Sequence, residues 1–153
     1  MLRKQAIISS FDLLIVRKTK YVPLNQKKYV GNPDSIHCRS LWERSVCKFC
    51  DGNENIIKWS FEEIMVPYHN PVDNKIRNYI PDFLVQIKNN DKLESWMIEV
   101  KPKKQTMLKE NASKKEKLTW IVNVAKWKAA ELYCEKNNFV FKLLTEKELF
   151  SNA

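Results

Sequence analysis

The chain reads YIPDFLVQIKNNDKLESWMIEVKPKK from residue 79 to residue 104, and the polar residues 89–91 divide its two apolar runs. Strand-forming runs separated by Asn and Asp residues predict a β-hairpin. Residues two apart on a strand point to the same face, so Glu99 and Lys101 lie side by side, and Asp82 can approach them across the hairpin. Two carboxylates and an ammonium group indicate a site for a hard divalent cation such as Mg²⁺.

A predicted helix upstream of the hairpin has a core-facing stripe. Asp34 or Ser35 is a suitable N-cap, and the helix runs to about Asp51 before Gly52 ends it. The apolar residues of the stripe fall at helical spacing and are Trp42, Val46, Phe49 and Cys50.

The same helix carries a third carboxylate. Glu43 lies at the edge of the stripe, about 100° around the helix from Trp42, where its side chain can face a cleft. The alternative is an ion pair with Arg39, one turn earlier, or with Lys48.

The Pro81-Asp82 pair, followed by Glu99-Val100-Lys101, resembles the PD-(D/E)XK motif of the restriction-endonuclease-like nuclease superfamily. A glutamate on a first helix, then a strand, then this hairpin is the order found in that superfamily. More narrowly, residues 25–150 resemble the head completion nucleases of T4-like bacteriophages and, more distantly, the TnsA transposon-end endonucleases.

This resemblance implies an α/β fold with a restriction-endonuclease-like core, in which helices flank a mixed central β-sheet. It implies that Glu43, Asp82, Glu99 and Lys101 are catalytic. It also implies that Asp82, Glu99, Glu43 and the Val100 carbonyl hold Mg²⁺, for which Mn²⁺ can substitute. The function expected is metal-dependent hydrolysis of DNA phosphodiester bonds during phage head completion and DNA packaging.

Two alternatives to this function stay open. One is a virion assembly protein for head completion or tail attachment, with a secondary nuclease activity. The other is a TnsA-like endonuclease that cuts transposon ends. Phage head or portal proteins are candidate partners, and a homodimer is a further alternative.

The charge distribution favours DNA as the partner, with an anionic membrane surface as the second choice. The net charge is +9 and the pI about 9.4. Lys and Arg outnumber Asp and Glu in residues 1–40 and 101–117, whereas the acids are in excess in residues 41–100. A metal-binding cleft between phosphate-contacting walls requires such a pattern. The predicted DNA contacts are all basic residues and are Lys28, Arg39, Lys103, Lys104 and Lys109.

Other features limit the cellular setting. No run approaches the roughly 20 apolar residues of a membrane span. Cys47 and Cys50 have the spacing of zinc ligands, but the sequence has no second Cys-x-x-Cys and no His pair to complete such a site. The four cysteines are therefore interpreted as small apolar residues of a reduced protein. We therefore expect action in the host cytoplasm, with association with the virion as an extension of that expectation.

The chain is predicted to form one domain at residues 36–150, preceded by a basic arm at residues 1–35. Pro23, Gly31 and Pro33 interrupt the second half of this arm and favour an extended segment. The remaining predicted elements follow in chain order: a strand at 57–68, a loop at 67–78, the hairpin, a solvated lysine-rich loop at 101–117, a helix at 118–137, a strand at 139–145 and a helix at 146–150.

The helix at 118–137 is predicted to be amphipathic. The apolar residues of its buried stripe are Leu118, Ile121, Val122, Ala125, Ala129, Leu132 and Tyr133. Asn123, Lys126 and Trp127 lie off this stripe and can reach the cleft.

Overall fold

The computed structural model describes residues 18–150 of the 153-residue chain. The strands are β1 (Thr19–Lys20), β2 (His37–Cys38), β3 (Ile56–Phe61), β4 (Val66–Asn70), β5 (Lys75–Tyr79), β6 (Phe83–Asn89), β7 (Lys92–Val100) and β8 (Val140–Leu144). The helices are α1 (Leu41–Gly52), α2 (Lys114–Asn137) and α3 (Glu146–Phe150), and short 3₁₀ turns lie at Gln26–Lys28, Pro33–Ser35 and Lys103–Gln105.

The central sheet has four strands in the order β3-β6-β7-β8. β3, β6 and β7 are antiparallel, and β8 runs parallel to β7. The parallel pair is joined by α2, which is the crossover helix that such a connection requires. The predicted α/β fold, with a mixed central sheet flanked by helices and a restriction-endonuclease-like core, is confirmed.

The two faces of the sheet are covered by different helices. On one face, Phe83, Val85 and Ile98 pack with Trp59 and with the buried residues of α1. On the other face, Met97 packs with Ala130 and Cys134 of α2 and with residues of β4 and β5. Alternation along β7 therefore places Glu99 on the same side as Met97.

The β6–β7 hairpin forms as predicted. Asn90 and Asp91 connect the strands with φ values of 46° and 62°. Two successive left-handed residues are the pattern of a two-residue hairpin turn, and Asn and Asp adopt it more readily than other side chains.

α1 begins five or six residues later than predicted. Ser40, not Asp34 or Ser35, is its N-cap, and the Ser40 hydroxyl accepts a 3.1 Å hydrogen bond from the Glu43 N–H. Residues 33–35 form a separate 3₁₀ turn because His37–Cys38 must stay extended to pair with β1.

The predicted stripe of α1 is partly wrong. Trp42, Val46 and Cys50 are buried, but Phe49 is 54% exposed and Cys47 takes its place in the core. The buried face is centred between Val46 and Cys47, and Phe49 lies outside it.

Residues 18–35 of the predicted basic arm pack against the rest of the protein, and residues 1–17 lie outside the described part. Tyr21 and Tyr29 are buried in the core, and Tyr29 stacks edge-on against Trp59 with ring centroids 4.8 Å apart. The Tyr21 N–H donates to the Ile36 carbonyl at 2.9 Å. Burial of the two tyrosine rings keeps this segment packed against the core, although Pro23, Gly31 and Pro33 interrupt regular secondary structure.

A buried aspartate at the end of α1 holds residues 21–25 by hydrogen bonds. The Asp51 carboxylate accepts hydrogen bonds from the Tyr21 hydroxyl at 2.9 Å and from the Leu24 and Asn25 N–H groups at 2.7 and 2.9 Å. These donors satisfy a carboxylate that is only 2% exposed.

The predicted loop at 67–78 is instead the β4–β5 hairpin. Tyr68 and Tyr79 are buried against α2, while four of the five residues of β5 are exposed. Asn74 turns the chain with a φ of 58°. The strand escapes prediction because it has so few buried side chains.

α2 begins at Lys114, one turn earlier than predicted. Ser113 and Glu116 form a capping box, in which each side chain accepts a hydrogen bond from the other residue's backbone N–H. The predicted stripe is partly wrong, since Leu118, Ile121 and Leu132 are exposed and Ala130 and Cys134 are the fully buried residues. β8 and α3 match the predictions at residues 139–145 and 146–150.

Two further predictions concern the cysteines and the membrane. Cys38, Cys47, Cys50 and Cys134 are all buried with free thiols, as small core residues would be. Of the helices in residues 18–150, none has the length and apolar character that crossing a bilayer would require.

Candidate active site

The predicted acids and lysine meet where β7 ends and β6 begins. Asp82 and Glu99 are 5% and 4% exposed, although both are carboxylates. The Val100 N–H donates a 2.7 Å hydrogen bond to Asp82 Oδ2, and Lys101 Nζ lies 3.1 Å from Glu99 Oε1. The hairpin therefore brings Asp82, Glu99 and Lys101 together.

The Val100 carbonyl shares this side of β7. The Lys101 N–H donates to the Leu144 carbonyl of β8 at 2.9 Å. In a planar trans peptide the carbonyl points opposite to the N–H of the next residue, so the Val100 oxygen points away from β8 and toward Asp82.

Tyr79, which sequence reasoning missed, holds the second oxygen of Glu99. Its hydroxyl donates a 2.6 Å hydrogen bond to Glu99 Oε2. Burial, followed by the nearby Glu99 charge, raises the pKa of Tyr79, so the phenol stays protonated at neutral pH. The alternation of residues that leads into Pro81-Asp82 could have indicated a buried Tyr79. The polar residues of β5 obscure this alternation in the sequence.

Glu43 faces the cleft and also pairs with Arg39, so both predicted roles are compatible. Glu43 Oε2 accepts a 2.6 Å hydrogen bond from the Arg39 N–H, and the Arg39 Nε lies 3.9 Å from Glu43 Oε1. The Arg39 guanidinium also contacts Glu62 and lies 3.8 Å from Asp82 Oδ1. Arg39 is therefore engaged by three acids in this structure.

Burial raises the pKa of two of the carboxyl groups. It raises the pKa of Asp82 well above its usual value, and the neighbouring Glu99 charge adds to the rise. Burial likewise raises the pKa of Glu43, and the Arg39 N–H and guanidinium partly offset this effect. The site thus holds more negative charge than its surroundings readily stabilise.

Lys126 is a third cation in the cleft, beside Arg39 and Lys101. It lies over the rings of Tyr68 and Tyr79, with 5.8 and 5.9 Å between its Nζ and the ring centroids. Burial and then the Lys101 charge lower the pKa of Lys126. The prediction that Lys126 reaches the cleft is confirmed, whereas Trp127 packs edge-on against Trp120 at 5.8 Å.

The cleft has a volume of about 360 Å³. Its lining is polar and comprises Arg39, Glu43, Asn78, Tyr79, Ile80, Asp82, Glu99, Val100, Lys101 and Lys126. Within residues 18–150, no three His, Cys, Asp or Glu side chains are arranged as a ready metal-binding group. Arg39 and Lys101 are the counter-charges of the acids in this arrangement.

The predicted DNA-contacting residues separate into two groups. Lys103, Lys104 and Lys109 are exposed and follow directly on the strand that carries Glu99. Lys28 instead makes hydrogen bonds within the protein, in which its ammonium donates to the Asp51 and Asn53 carbonyls at 3.1 and 2.8 Å. It stabilises the carboxyl end of α1, where a cation is favourable.

The sheet order and the hairpin acids are those of a nuclease of the restriction-endonuclease-like type. A family model described as "TnsA-like endonuclease N terminal" matches residues 53–146, a segment that includes Asp82, Glu99 and Lys101. The chain is also 37% identical over 140 residues to the head completion nuclease of enterobacteria phage T4, an alignment that covers 85% of this chain and 91% of that protein. The chain belongs to the TnsA-like endonuclease family.

Proposed function

We propose that this protein is a metal-dependent DNA endonuclease that hydrolyses phosphodiester bonds at the head completion stage of phage assembly. The observation that carries the proposal is the convergence of Asp82, Glu99 and Lys101 at one end of the sheet. The similarity to a head completion nuclease over 91% of that protein supports the stage of action.

The donor set fits Mg²⁺, with Mn²⁺ as a substitute. Asp82 and Glu99 are two buried carboxylates, and the Val100 carbonyl points to the same side of the strand. Mg²⁺ is commonly held by one or two carboxylates and several waters, so a closed group of three acids is not required. A bound divalent cation would neutralise charge at the scissile phosphate and lower the pKa of water.

The protein's own residues supply the remaining chemistry. Lys101, held beside Glu99, orients the attacking water and stabilises negative charge that develops on the phosphate. Glu43 completes the polar wall of the cleft and binds either the cation or its water. Arg39 must give up part of its contact with Asp82 when a cation binds, because both compete for the same oxygen.

The lysine-rich segment after β7 supplies phosphate contacts. Lys103, Lys104 and Lys109 are exposed cations beside the cleft. Such residues position a DNA backbone without reading its sequence. Arg39 is a further contact once the acids that now bind it are neutralised.

A second candidate function is a virion assembly protein in which cleavage is secondary. The name of the phage T4 relative favours this possibility, since it combines head completion with nuclease activity. In both functions the protein acts in the host cytoplasm, contacts head or portal proteins and can remain with the virion. A TnsA-like role at transposon ends is favoured only by the family match. A homodimer would let two active sites cut both strands.

The proposal is tested by incubating the protein with supercoiled and linear DNA in Mg²⁺ or Mn²⁺, with EDTA as the metal-free control. We expect cutting that Asp82→Ala abolishes and that Lys101→Ala slows by about 10²–10³-fold. Asp91→Ala and Lys92→Ala are the matched controls, because both residues lie at the far end of the same hairpin and should leave cutting unchanged. Cutting that persists in EDTA would contradict the metal requirement.

The assembly alternative has its own test. Phage particles carrying Asp82→Asn keep the fold but lack an acid of the proposed site. If these particles mature normally, cleavage is not the essential role, whereas arrested heads with intact capsid binding would favour the nuclease.

A further inference from the structure

A second groove lies beside the active-site cleft, between the lysine-rich segment and the first half of α2. Its volume is about 540 Å³. One wall consists of Lys104, Gln105, Met107, Leu108, Lys109 and Ala112, and the other of Lys115, Glu116, Thr119, Trp120 and Asn123. The spacing of the helical residues puts them on one face of α2.

This face of α2 extends beyond the core. Further along the helix, the same face buries Ala130 and Cys134 against the sheet. In the first half of the helix, the sheet is replaced by a loop whose Met107 and Leu108 are 63% and 44% exposed. The helix therefore presents a partly apolar surface to an open groove.

The residues that line the groove follow closely on those that line the active-site cleft, on both walls. Lys104 follows the cleft residue Lys101 by three positions along the chain. On α2, Asn123 lines the groove and Lys126 lines the cleft, and residues three apart are neighbours on a helix surface. A DNA strand bound at Asp82 and Glu99 can thus extend into the groove.

The charges of the groove suit phosphates. Within the described residues, no carboxylate forms an ion pair with Lys104, Lys109 or Lys115. The only acid in the lining, Glu116, accepts a 2.7 Å hydrogen bond from the Ser113 N–H at the start of α2. The three lysines outnumber this one acid, whose pKa is lowered by hydrogen bonds from Ser113 and by the Lys109 charge, so the lining keeps a net positive charge for an anionic ligand.

The aromatic and apolar residues suit unpaired bases. Trp120 is half-buried, and Trp127 holds it by an edge-on contact with an interplanar angle of 80°. A duplex hides the faces of its bases within the stack, whereas a single strand can stack them on an aromatic ring between cationic side chains. The combination of Trp120, Met107 and three exposed lysines favours a single strand.

We propose that this groove binds a single-stranded DNA segment next to the bond that is cut. Trp120 stacks on a base, and Lys104, Lys109 and Lys115 contact the phosphates. From Lys115 to Asn123 the helix rises roughly 12 Å, which is the length of about three to four stacked nucleotides. The inference rests on the proposed nuclease function and adds a substrate class, namely DNA with a single-stranded overhang or flap.

The test compares the binding of a blunt duplex with that of the same duplex carrying an overhang of about four nucleotides. Fluorescence anisotropy in EDTA measures both affinities without hydrolysis. We expect the wild type to prefer the overhang and Trp120→Ala to lose about tenfold of that preference, while Trp120→Phe keeps most of it. Blunt-duplex affinity should change little in either variant.

A pair of lysine variants provides an independent arm. Lys104→Ala/Lys109→Ala removes two exposed charges from the groove, and Lys92→Ala/Lys136→Ala removes two exposed charges elsewhere. Only the first pair should lower the ratio of overhang to blunt affinity. Because these residues are exposed, this arm decides the question even if Trp120→Ala proves unfolded by circular dichroism.

The proposal is overturned if the wild type binds both DNAs equally, or if the groove variants weaken both DNAs by the same factor. Its failure is distinct from failure of the nuclease function. A protein that prefers overhangs but cuts nothing in Mg²⁺ refutes the hydrolysis and keeps the groove. A protein that cuts but shows no preference refutes only the groove.

Discussion

The Tyr79 hydroxyl and the Glu99 carboxylate are joined by a 2.6 Å hydrogen bond at the buried end of the central sheet. Lys101 contacts the other oxygen of Glu99, so both oxygens are fixed. A carboxylate held in this way has its orientation set before a cation arrives. Removing a hydrogen-bonding partner of this kind typically costs about 10–100-fold in metal affinity or activity.

Tyr79→Phe should therefore raise the Mg²⁺ concentration needed for half-maximal cutting by about tenfold. The change removes only the hydroxyl, so the ring keeps its packing below Lys126. The measurement is a Mg²⁺ titration of the cleavage rate. Tyr133→Phe is the control, because Tyr133 packs against Phe139 away from the cleft and should leave the titration unchanged. Equal titrations for both variants would contradict the role of Tyr79.

Asp82→Asn should raise the thermal stability of the protein in the absence of metal, although it abolishes cutting. The carboxylate is buried beside Glu99, which raises its pKa and makes its charged form costly at neutral pH. An amide oxygen can still accept the Val100 N–H. Differential scanning calorimetry should show a higher Tm, at roughly 2–4 °C for each kcal/mol gained.

Asp51→Asn is the matched control for that prediction, and its expected effect is opposite. Asp51 is equally buried, but it accepts three hydrogen bonds from residues 21–25. Weakening a hydrogen bond to a charged group costs about 1.5–3 kcal/mol, so its Tm should fall. A parallel change in both variants would contradict the distinction between an active-site acid and a structural one.

The stabilisation by Mg²⁺ should increase with pH. Because the pKa of Asp82 is raised in the folded state, its contribution to stability is full below the unfolded-state pKa and is lost as pH rises through the folded-state pKa. The cation requires the ionised carboxylate, so proton and metal compete. We expect the rise in Tm caused by Mg²⁺ to be small in acid and larger near neutrality. A shift that does not depend on pH would sink this idea, and Asp82→Asn should show almost no shift.

Lys101→Ala should lower the rate of cutting by about 10²–10³-fold with little loss of DNA affinity. Its ammonium lies beside Glu99, where it can act on water and on developing charge. Single-turnover kinetics with saturating protein separate chemistry from binding. Lys92→Ala removes the same charge at the start of β7 and should cut at the normal rate.

DNA affinity should fall steeply as salt increases, because lysines that contact phosphates release counterions. Lys103→Ala, Lys104→Ala and Lys109→Ala should each reduce the slope of log affinity against log salt by roughly 0.9. Lys28→Ala should not change the slope, because Lys28 binds the end of α1. A flat response of the wild type would remove the phosphate-binding role of the segment.

The sequence predicted the β6–β7 hairpin and its acids because their signals are local. A period of two residues and an Asn-Asp turn determine which side chains share a face. The capping box of α2 is an equally local signal, but Pro102 and the lysines around Ser113 favoured a loop at these residues. The predicted role of Glu43 on α1 depended on the resemblance, since spacing alone does not separate a cleft glutamate from a helix ion pair.

The contacts that sequence reasoning missed are distant in the chain. Tyr79 meets Glu99 from 20 residues away, and Lys28 meets Asn53 from 25 residues away. β5 exposes most of its side chains and so lacks the pattern of a buried strand. Neither periodicity nor composition carries information on such pairings, which packing decides.

The Asp51 network also limits how the protein can be shortened. A deletion to residue 36, the domain start that the sequence suggests, would remove Tyr21, Leu24 and Asn25 and leave a buried carboxylate without its donors. It would also take two tyrosine rings out of the core. Residues 21–35 are therefore part of the folding unit, and the positive charge of this segment should be studied by substitution, because its deletion would unfold the protein.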